Sequence, residues 1–386
     1  MPQRKRRVAL LVNMISPARI PIYSGLAEHF DLLILHGGME RNRDSWTEME
    51  RAVPNARVVR AWGWQLAVPR REKGFVFDWR YVHITPGYIQ HLLSFDPEIL
   101  VSGEMGLRTL IALTYGTLFR RPVWVWWGGT LHTERRLGVV RRITRAVIRR
   151  WARRWISYGQ TSTEYLRSLG IALDRILQIQ NGVDEQLFSS EAPPAFAISP
   201  RPVLLYVGQF ITRKGVGALL GTAGALQQEG LEFSLLLVGS GPDKTALQQL
   251  VEAARLRNIH FFPPRRPAEM PSVYCSADAL IFPTLEDVWG LVANEAMLCG
   301  LPVLCSKFAG CATELFTPEN VFDPQNPSEF KAKLQQAIEG RLAKPDRSRL
   351  KPTPQVVTQF IRALDGSMST PTSQPPDSRR EQLYEP

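Results

Sequence analysis

Residues 282–309 read FPTLEDVWGLVANEAMLCGLPVLCSKFA. They continue a short apolar run, Ala279–Phe282, which ends in a Pro-Thr turn and an acidic pair, Glu286 and Asp287. Gly290 follows, then a helical stretch over 291–299 that stops at Gly300, and Pro302 opens another apolar run. Strand, turn, helix and strand in so little chain make the βαβ unit of a parallel sheet, whose crossover is right-handed. Asp287 and Glu295 stand eight residues apart, one in the loop before the helix and one inside it, and both reach the carboxyl edge of the sheet. The free N–H groups near Gly290, Leu291 and Val292 form an anion site at a helix N-terminus. Such amides take phosphate and the carboxylates take hydroxyls, a combination that suits a sugar nucleotide. Taken alone, the same residues also describe a capped helix with surface acids.

Outward from this unit the pattern repeats. Apolar runs at 8–12, 32–35, 99–101 and 123–126 are each followed by turn residues and a helical stretch. A second series occupies 203–207, 235–238, 259–262, 279–282 and 302–305. Near-continuous apolar strands separated by helices imply parallel sheets covered on both faces. The fold class is therefore α/β, with two doubly wound, Rossmann-like domains facing each other across a cleft. A proline-rich linker, 189–201, separates residues 1–188 from a second domain at 202–345. A helical segment is expected over 346–365, and a Ser-, Thr- and Pro-rich disordered tail over 366–386. Ligands of open α/β sheets bind beyond the carboxyl ends of the strands, so two such edges hold one substrate each.

Composition narrows the class. The chain has 386 residues, 44% hydrophobic and 22% charged, within the globular range. Lys and Arg number 47 against 36 Asp and Glu, a net charge of +11. Four cysteines, none in a CxxC pair, exclude a disulfide scaffold and argue against a zinc site. No apolar run reaches the roughly 18 residues of a spanning helix. The run 8–12 follows four basic residues as a signal peptide would, but Asn13 cuts it short and it reads as a buried strand. A cytoplasmic protein is expected.

A second stretch carries a phosphate cradle. In residues 204–215, LLYVGQFITRKG, a strand runs into the Gly208 turn and a basic pair, Arg213 and Lys214, opens a helix. Together the two stretches resemble the GT-B glycosyltransferases, specifically the retaining group called family 4. That family shows an acid, seven residues and Glu within E-x-W/F-G-L-x-x-x-E-A-M-x-x-G-x-P-V. Here the residues are Asp287, Trp289, Gly290, Leu291, Glu295, Ala296, Met297, Gly300, Pro302 and Val303. The family's V-G-R-x-x-x-x-K-G matches at Val207, Gly208 and Lys214, with Gln209 in place of the Arg. Asp287 replaces the usual Glu, one methylene longer. Weaker matches are Asn181-Gly182-Val183-Asp184 and Val238-Gly239-Ser240-Gly241-Pro242.

The resemblance implies a metal-independent hexosyltransferase with no cofactor beyond its nucleotide-sugar substrate, serving cell-surface polysaccharide or glycoconjugate synthesis. Lys214, Asp287 and Glu295 would be its catalytic residues. Gly208, Gln209, Arg213, Gly290, Leu291 and Val292 would bind the donor. Lys214 and the amides of 290–292 would hold the diphosphate, Glu295 the ribose and Asp287 the donor sugar. The first domain would take a glycan or lipid-linked acceptor, with Glu104, Gly128, Gly129 and His132 on loops leaving strand ends. A non-catalytic binding subunit of the same fold and a sugar-nucleotide 2-epimerase are the alternatives.

Residues 135–155, RRLGVVRRITRAVIRRWARRW, read as one amphipathic helix with nine arginines. The apolar residues would pack on the domain and the cationic face would meet solvent or anionic lipid head groups. No nucleic-acid motif accompanies the charge.

Overall fold

The computed structural model describes residues 4–38, 51–72, 75–189 and 192–366. The segment read as a tail lies outside these apart from Gly366. Every strand of the two principal sheets pairs in parallel.

The first sheet contains β1 (Arg7–Val12), β2 (Asp31–His36) and β3 (Ala56–Arg60). A separate antiparallel hairpin of β4 (Trp64–Glu72) and β5 (Phe75–Ile84) follows. The sheet resumes with β6 (Ile99–Gly103), β7 (Val123–Trp127), β8 (Arg154–Ser157) and β9 (Ile176–Gln178), in the order β3-β2-β1-β6-β7-β8-β9. The second sheet holds β10 (Val203–Val207), β11 (Ser234–Val238), β12 (Ile259–Phe262), β13 (Ala279–Phe282), β14 (Val303–Ser306) and β15 (Val321–Phe322). Its order is β12-β11-β10-β13-β14-β15.

Apolar runs without alternation are explained by burial on two faces. Val8, Leu10 and Val12 of β1 enter one core, and Ala9 and Leu11 enter the core on the opposite face. In β10, Val203 and Leu205 separate from Leu204 and Tyr206 in the same way. The strand order reverses between β1 and β6 in one sheet, and between β10 and β13 in the other. Loops leaving the strands at such a switch point splay apart and open a crevice.

Several elements depart from the pattern read from sequence. The basic stretch does not form one helix. Its helix spans Val139–Trp151, and Trp155, taken as its last apolar residue, is fully buried in β8. Tryptophan four residues after tryptophan imitates helical spacing, but Ala152 leaves the helix with ψ 136° and the chain turns extended. The other arginines are exposed as expected, but Arg145 is buried with Ile148, and most of the helix's apolar side chains face outward.

The last helix, Thr353–Leu364, returns to the first domain. Val356, Val357, Phe360, Ala363 and Leu364 join the core that contains Val8, Ile22 and Trp126. The Phe360 and Trp126 rings lie 4.9 Å apart, edge to face. Thr353 Oγ1 donates to the Val183 carbonyl, fixing the crossing. Truncating Phe360 to Ala should cost about 3–5 kcal/mol of first-domain stability by urea unfolding. A loss under about 1 kcal/mol would show that the returning helix is not part of that core.

Candidate functional site

A cleft of about 1040 Å³ separates the two sheets, lined from both. Its second-domain wall comes from the loops after β10, β11 and β13, the strands around that sheet's reversal point. Gly208, Gln209, Arg213, Lys214, Asp287, Gly290, Leu291 and Val292 all line it. Two glycines make the wall possible. Gly290, the N-cap of the helix Leu291–Leu298, has φ 104°, and a Cβ there would strike the Phe282 ring. Gly239 passes against the Gly208 carbonyl with φ 158°, and a Cβ would overlap that oxygen.

Lys214 and Asp287 pair at 2.5 Å, Nζ to Oδ2, with both side chains nearly buried. Burial pushes the Asp287 carboxyl upward, but Lys214 and Arg213 outweigh it and hold it below the ordinary value. Burial lowers Lys214, and the Asp287 charge opposes this. Asp287 also accepts from the Trp289 amide at 3.2 Å. The first amides of the helix, at Leu291 and Val292, lack intrahelical partners and open on the same wall. A cation beside free amides at a helix N-terminus is a site for a diphosphate.

Glu295 sits one turn into that helix, behind the cleft lining. Its Oε2 accepts from the Tyr274 hydroxyl at 2.6 Å. Burial pushes its carboxyl up to about 7, against the Tyr274 hydrogen bond. A raised carboxyl favours the folded chain while protonated. That contribution is lost as pH climbs from the unfolded value, about 4.5, through about 7.

Glu286 does something else. Its carboxylate is held by Arg70 of β4, at 2.5 and 2.9 Å, and by Arg135, at 2.9 Å, both from the first domain. Arg213 donates to the Glu286 carbonyl at 2.7 Å and pairs with Asp78 of β5, also at 2.7 Å. The hairpin therefore crosses the cleft and grips the loops that carry Lys214 and Asp287. Sequence reading missed Arg70 and Asp78, and took Arg135 for the start of the basic helix, because their partners are 216, 135 and 151 positions away.

On the first-domain wall, Glu104, Gly128 and Gly129 line the cleft. Glu104 has φ 83°, a left-handed conformation rare for a side-chain-bearing residue. Its amide donates to the Trp126 carbonyl, its carbonyl accepts from Thr109, and its carboxylate pairs with Arg108 at 2.6 Å. His132 is not among the lining residues. It stacks on Phe308 at 4.1 Å and its Nε2 lies 2.9 Å from the Leu285 carbonyl, joining the domains. Burial lowers its pKa, partly offset by that hydrogen bond. Arg19, in the turn after β1, lies over the Trp126 and Tyr158 rings and faces the cleft, as does Arg141.

Residues 190–353 match the family model described as Glycosyl transferases group 1. Over 206 residues the chain is 28% identical to a D-inositol 3-phosphate glycosyltransferase of Paenarthrobacter aurescens (strain TC1), covering 49% of this chain and 50% of that one. It is 27% identical over 256 residues to a 2-deoxystreptamine glucosyltransferase of Streptomyces kanamyceticus, covering 60% and 66% respectively. The chain spans about half the length of the curated relatives it matches. Among solved structures, Anabaena Alr3699/HepE in complex with UDP and glucose aligns with a TM-score of 0.70 at 16% identity, over 94% of this chain and 100% of that one. The apo lipopolysaccharide outer core galactosyltransferase WaaB aligns at 0.65 and 14% identity, over 94% and 99%. These likenesses show the fold: two Rossmann-like domains in the GT-B arrangement.

Two outcomes are expected. Arg70→Ala should leave the Glu286 charge half-compensated and loosen the cross-domain grip, raising the radius of gyration in X-ray scattering. An unchanged radius would show that the hairpin does not set the cleft width. If an ionised Glu295 accepts from a ligand, nucleotide affinity should rise more steeply between about pH 6 and about pH 8 in wild type than in Glu295→Gln, where only the ligand phosphate still titrates.

Proposed function

We propose that the chain is a retaining glycosyltransferase of the family 4 type, using a nucleotide-sugar donor and no metal. The observation that carries this is the Lys214–Asp287 pair beside the free amides of Leu291 and Val292, on the cleft wall at the second sheet's reversal point. The family match over 190–353 covers this half of the cleft. The HepE structures hold UDP and UDP-glucose, which supports a nucleoside-diphosphate sugar as donor.

In this reading the bond between the anomeric carbon and the diphosphate oxygen breaks, and the electron pair leaves with the oxygen. Lys214 and the amides of 290–292 neutralise the charge that develops there. Glu295 takes the ribose hydroxyls, and Asp287, kept ionised by Lys214, takes hydroxyls of the donor sugar. Gly208 and Gln209 approach the diphosphate from the other loop, and Arg213 supports them from its bridge to Asp78. The acceptor hydroxyl enters along Glu104, Gly128 and Gly129, bonds to the anomeric carbon on the face the diphosphate leaves, and gives its proton to the departing phosphate oxygen, so the configuration is kept. The acceptor is a glycan or a lipid-linked sugar, and the work is cell-surface polysaccharide or glycoconjugate assembly at the cytoplasmic face of a membrane.

The test is calorimetric titration with UDP, GDP, ADP and TDP. One diphosphate should bind at micromolar affinity. Lys214→Ala and Glu295→Ala should each weaken it by about tenfold or more, the worth of one charge-assisted contact. Gln209→Arg should tighten it by supplying the missing charge. If none of the four binds, the non-catalytic binding subunit replaces the transferase. Full sugar transfer by Glu295→Ala would remove that residue's role.

A further inference from the structure

We infer that the helix Val139–Trp151 docks the chain on an anionic bilayer, and that its apolar stripe makes the contact. In this helix the usual arrangement is reversed. Its inward face carries Ile148 and Arg145, both buried; Arg145 pairs with Glu134, reaches the Tyr165 hydroxyl at 3.3 Å and lies over the Trp127 ring. Its outward face carries Val139, Val140, Ile143, Val147 and Trp151, exposed at 71%, 77%, 59%, 45% and 37%. At 100° per residue these five fall within one arc of about 120°.

The stripe extends beyond the helix. The Trp151 indole N–H donates to Thr117 Oγ1 at 3.0 Å, which brings the exposed Leu118 and Phe119 beside it. Contiguous apolar surface of this kind marks a contact site. Among the described residues no helix is long and apolar enough to cross a membrane, so the stripe lies in the interface and does not span it.

Charge selects the occupant. Arg142, Arg149 and Arg150 are exposed along and beside the stripe, and the chain carries a net +11. A twofold pairing of two copies through this face would set these arginines against each other, whereas acidic lipid head groups neutralise them. Both components of interfacial binding, apolar insertion and attraction of basic side chains, thus occur on one short helix.

Placement adds a consequence. Arg141 of the same helix lines the cleft. Arg141 stands on the opposite side of the helix from the stripe, so docking sets the first-domain side of the cleft about one helix diameter, roughly 10 Å, from the head groups, within reach of a lipid-linked acceptor. That advantage rests on the transferase reading; the docking itself does not.

The experiment is co-sedimentation of the full chain with vesicles of phosphatidylcholine alone or mixed with phosphatidylglycerol. Wild type should sediment with the mixed vesicles, and less as salt is raised. The double variant V140D/I143D, at exposed positions, should bind them at least about tenfold more weakly. R142E/R150E should lose the salt-dependent part. Diphosphate binding in both variants should match wild type, so a failed donor titration and a failed sedimentation speak to different claims. Equal sedimentation of V140D/I143D and wild type overturns the inference, as does a wild type that ignores both vesicles. Light scattering that shows a wild-type dimer dissolved by V140D/I143D would give the stripe to a second copy and overturn it too.

Discussion

The Glu286 carboxylate, enclosed by Arg70 and Arg135, is the constraint on which the cleft depends. It stands on the second domain and both its partners stand on the first. Two cations around one nearly buried anion leave little freedom, because any motion that parts them exposes an uncompensated charge to a poorly solvating interior. The next residue is Asp287. The contact that closes the molecule therefore also fixes the carboxylate that pairs with Lys214. Arg213 repeats the arrangement, holding the Glu286 carbonyl on one side and Asp78 of the hairpin on the other. Cleft width and the geometry of the Lys214–Asp287 wall are thus one property, maintained by the same few side chains.

Each wall then follows from strand order. The reversal between β10 and β13 brings the loops that carry Lys214 and Asp287 to one edge, where they pair, and the reversal between β1 and β6 does the same for Asn13 and Glu104, joined at 3.4 Å. The opposed titration behaviour of the acids reflects their surroundings. Asp287 is buried beside cations and stays ionised, while at Glu295 burial outweighs the Tyr274 hydrogen bond and the carboxyl holds its proton more tightly. One short helix and its leading loop thereby present a fixed negative charge and a neutralisable one.

The second-domain half of the cleft was legible because its chemistry is local. Strand, glycine, basic pair and helix follow each other within a dozen residues at Val207–Lys214, and the acidic loop and its helix are as compact. The first-domain half was not, since its cleft residues become neighbours only through tertiary packing. Arg19 is an ordinary arginine until Trp126 and Tyr158 are brought beneath it. Arg70 has no motif around it, and its hairpin contains Pro69, a residue that weakens a strand reading. His132 was noticed for its position after a strand, yet a stacking partner in the other domain, Phe308, decides where its ring lies. The basic helix gives the clearest case. Helical spacing is visible in the sequence, but which face turns inward depended on Glu134 and Tyr165 waiting to receive Arg145. Periodicity reports a face and is silent on its direction.

The returning helix, Thr353–Leu364, sets an order of events. Its Val356, Val357, Phe360, Ala363 and Leu364 complete a core whose other buried members lie before residue 180. On the ribosome the first domain is synthesised long before that helix, so it waits with the underside of β1 and β7 uncovered while the whole second domain emerges and folds. The second domain, by contrast, has all its strands within one continuous stretch. The N-terminal half of this chain is therefore the later of the two to be finished, and the last residues of the described chain act as its latch.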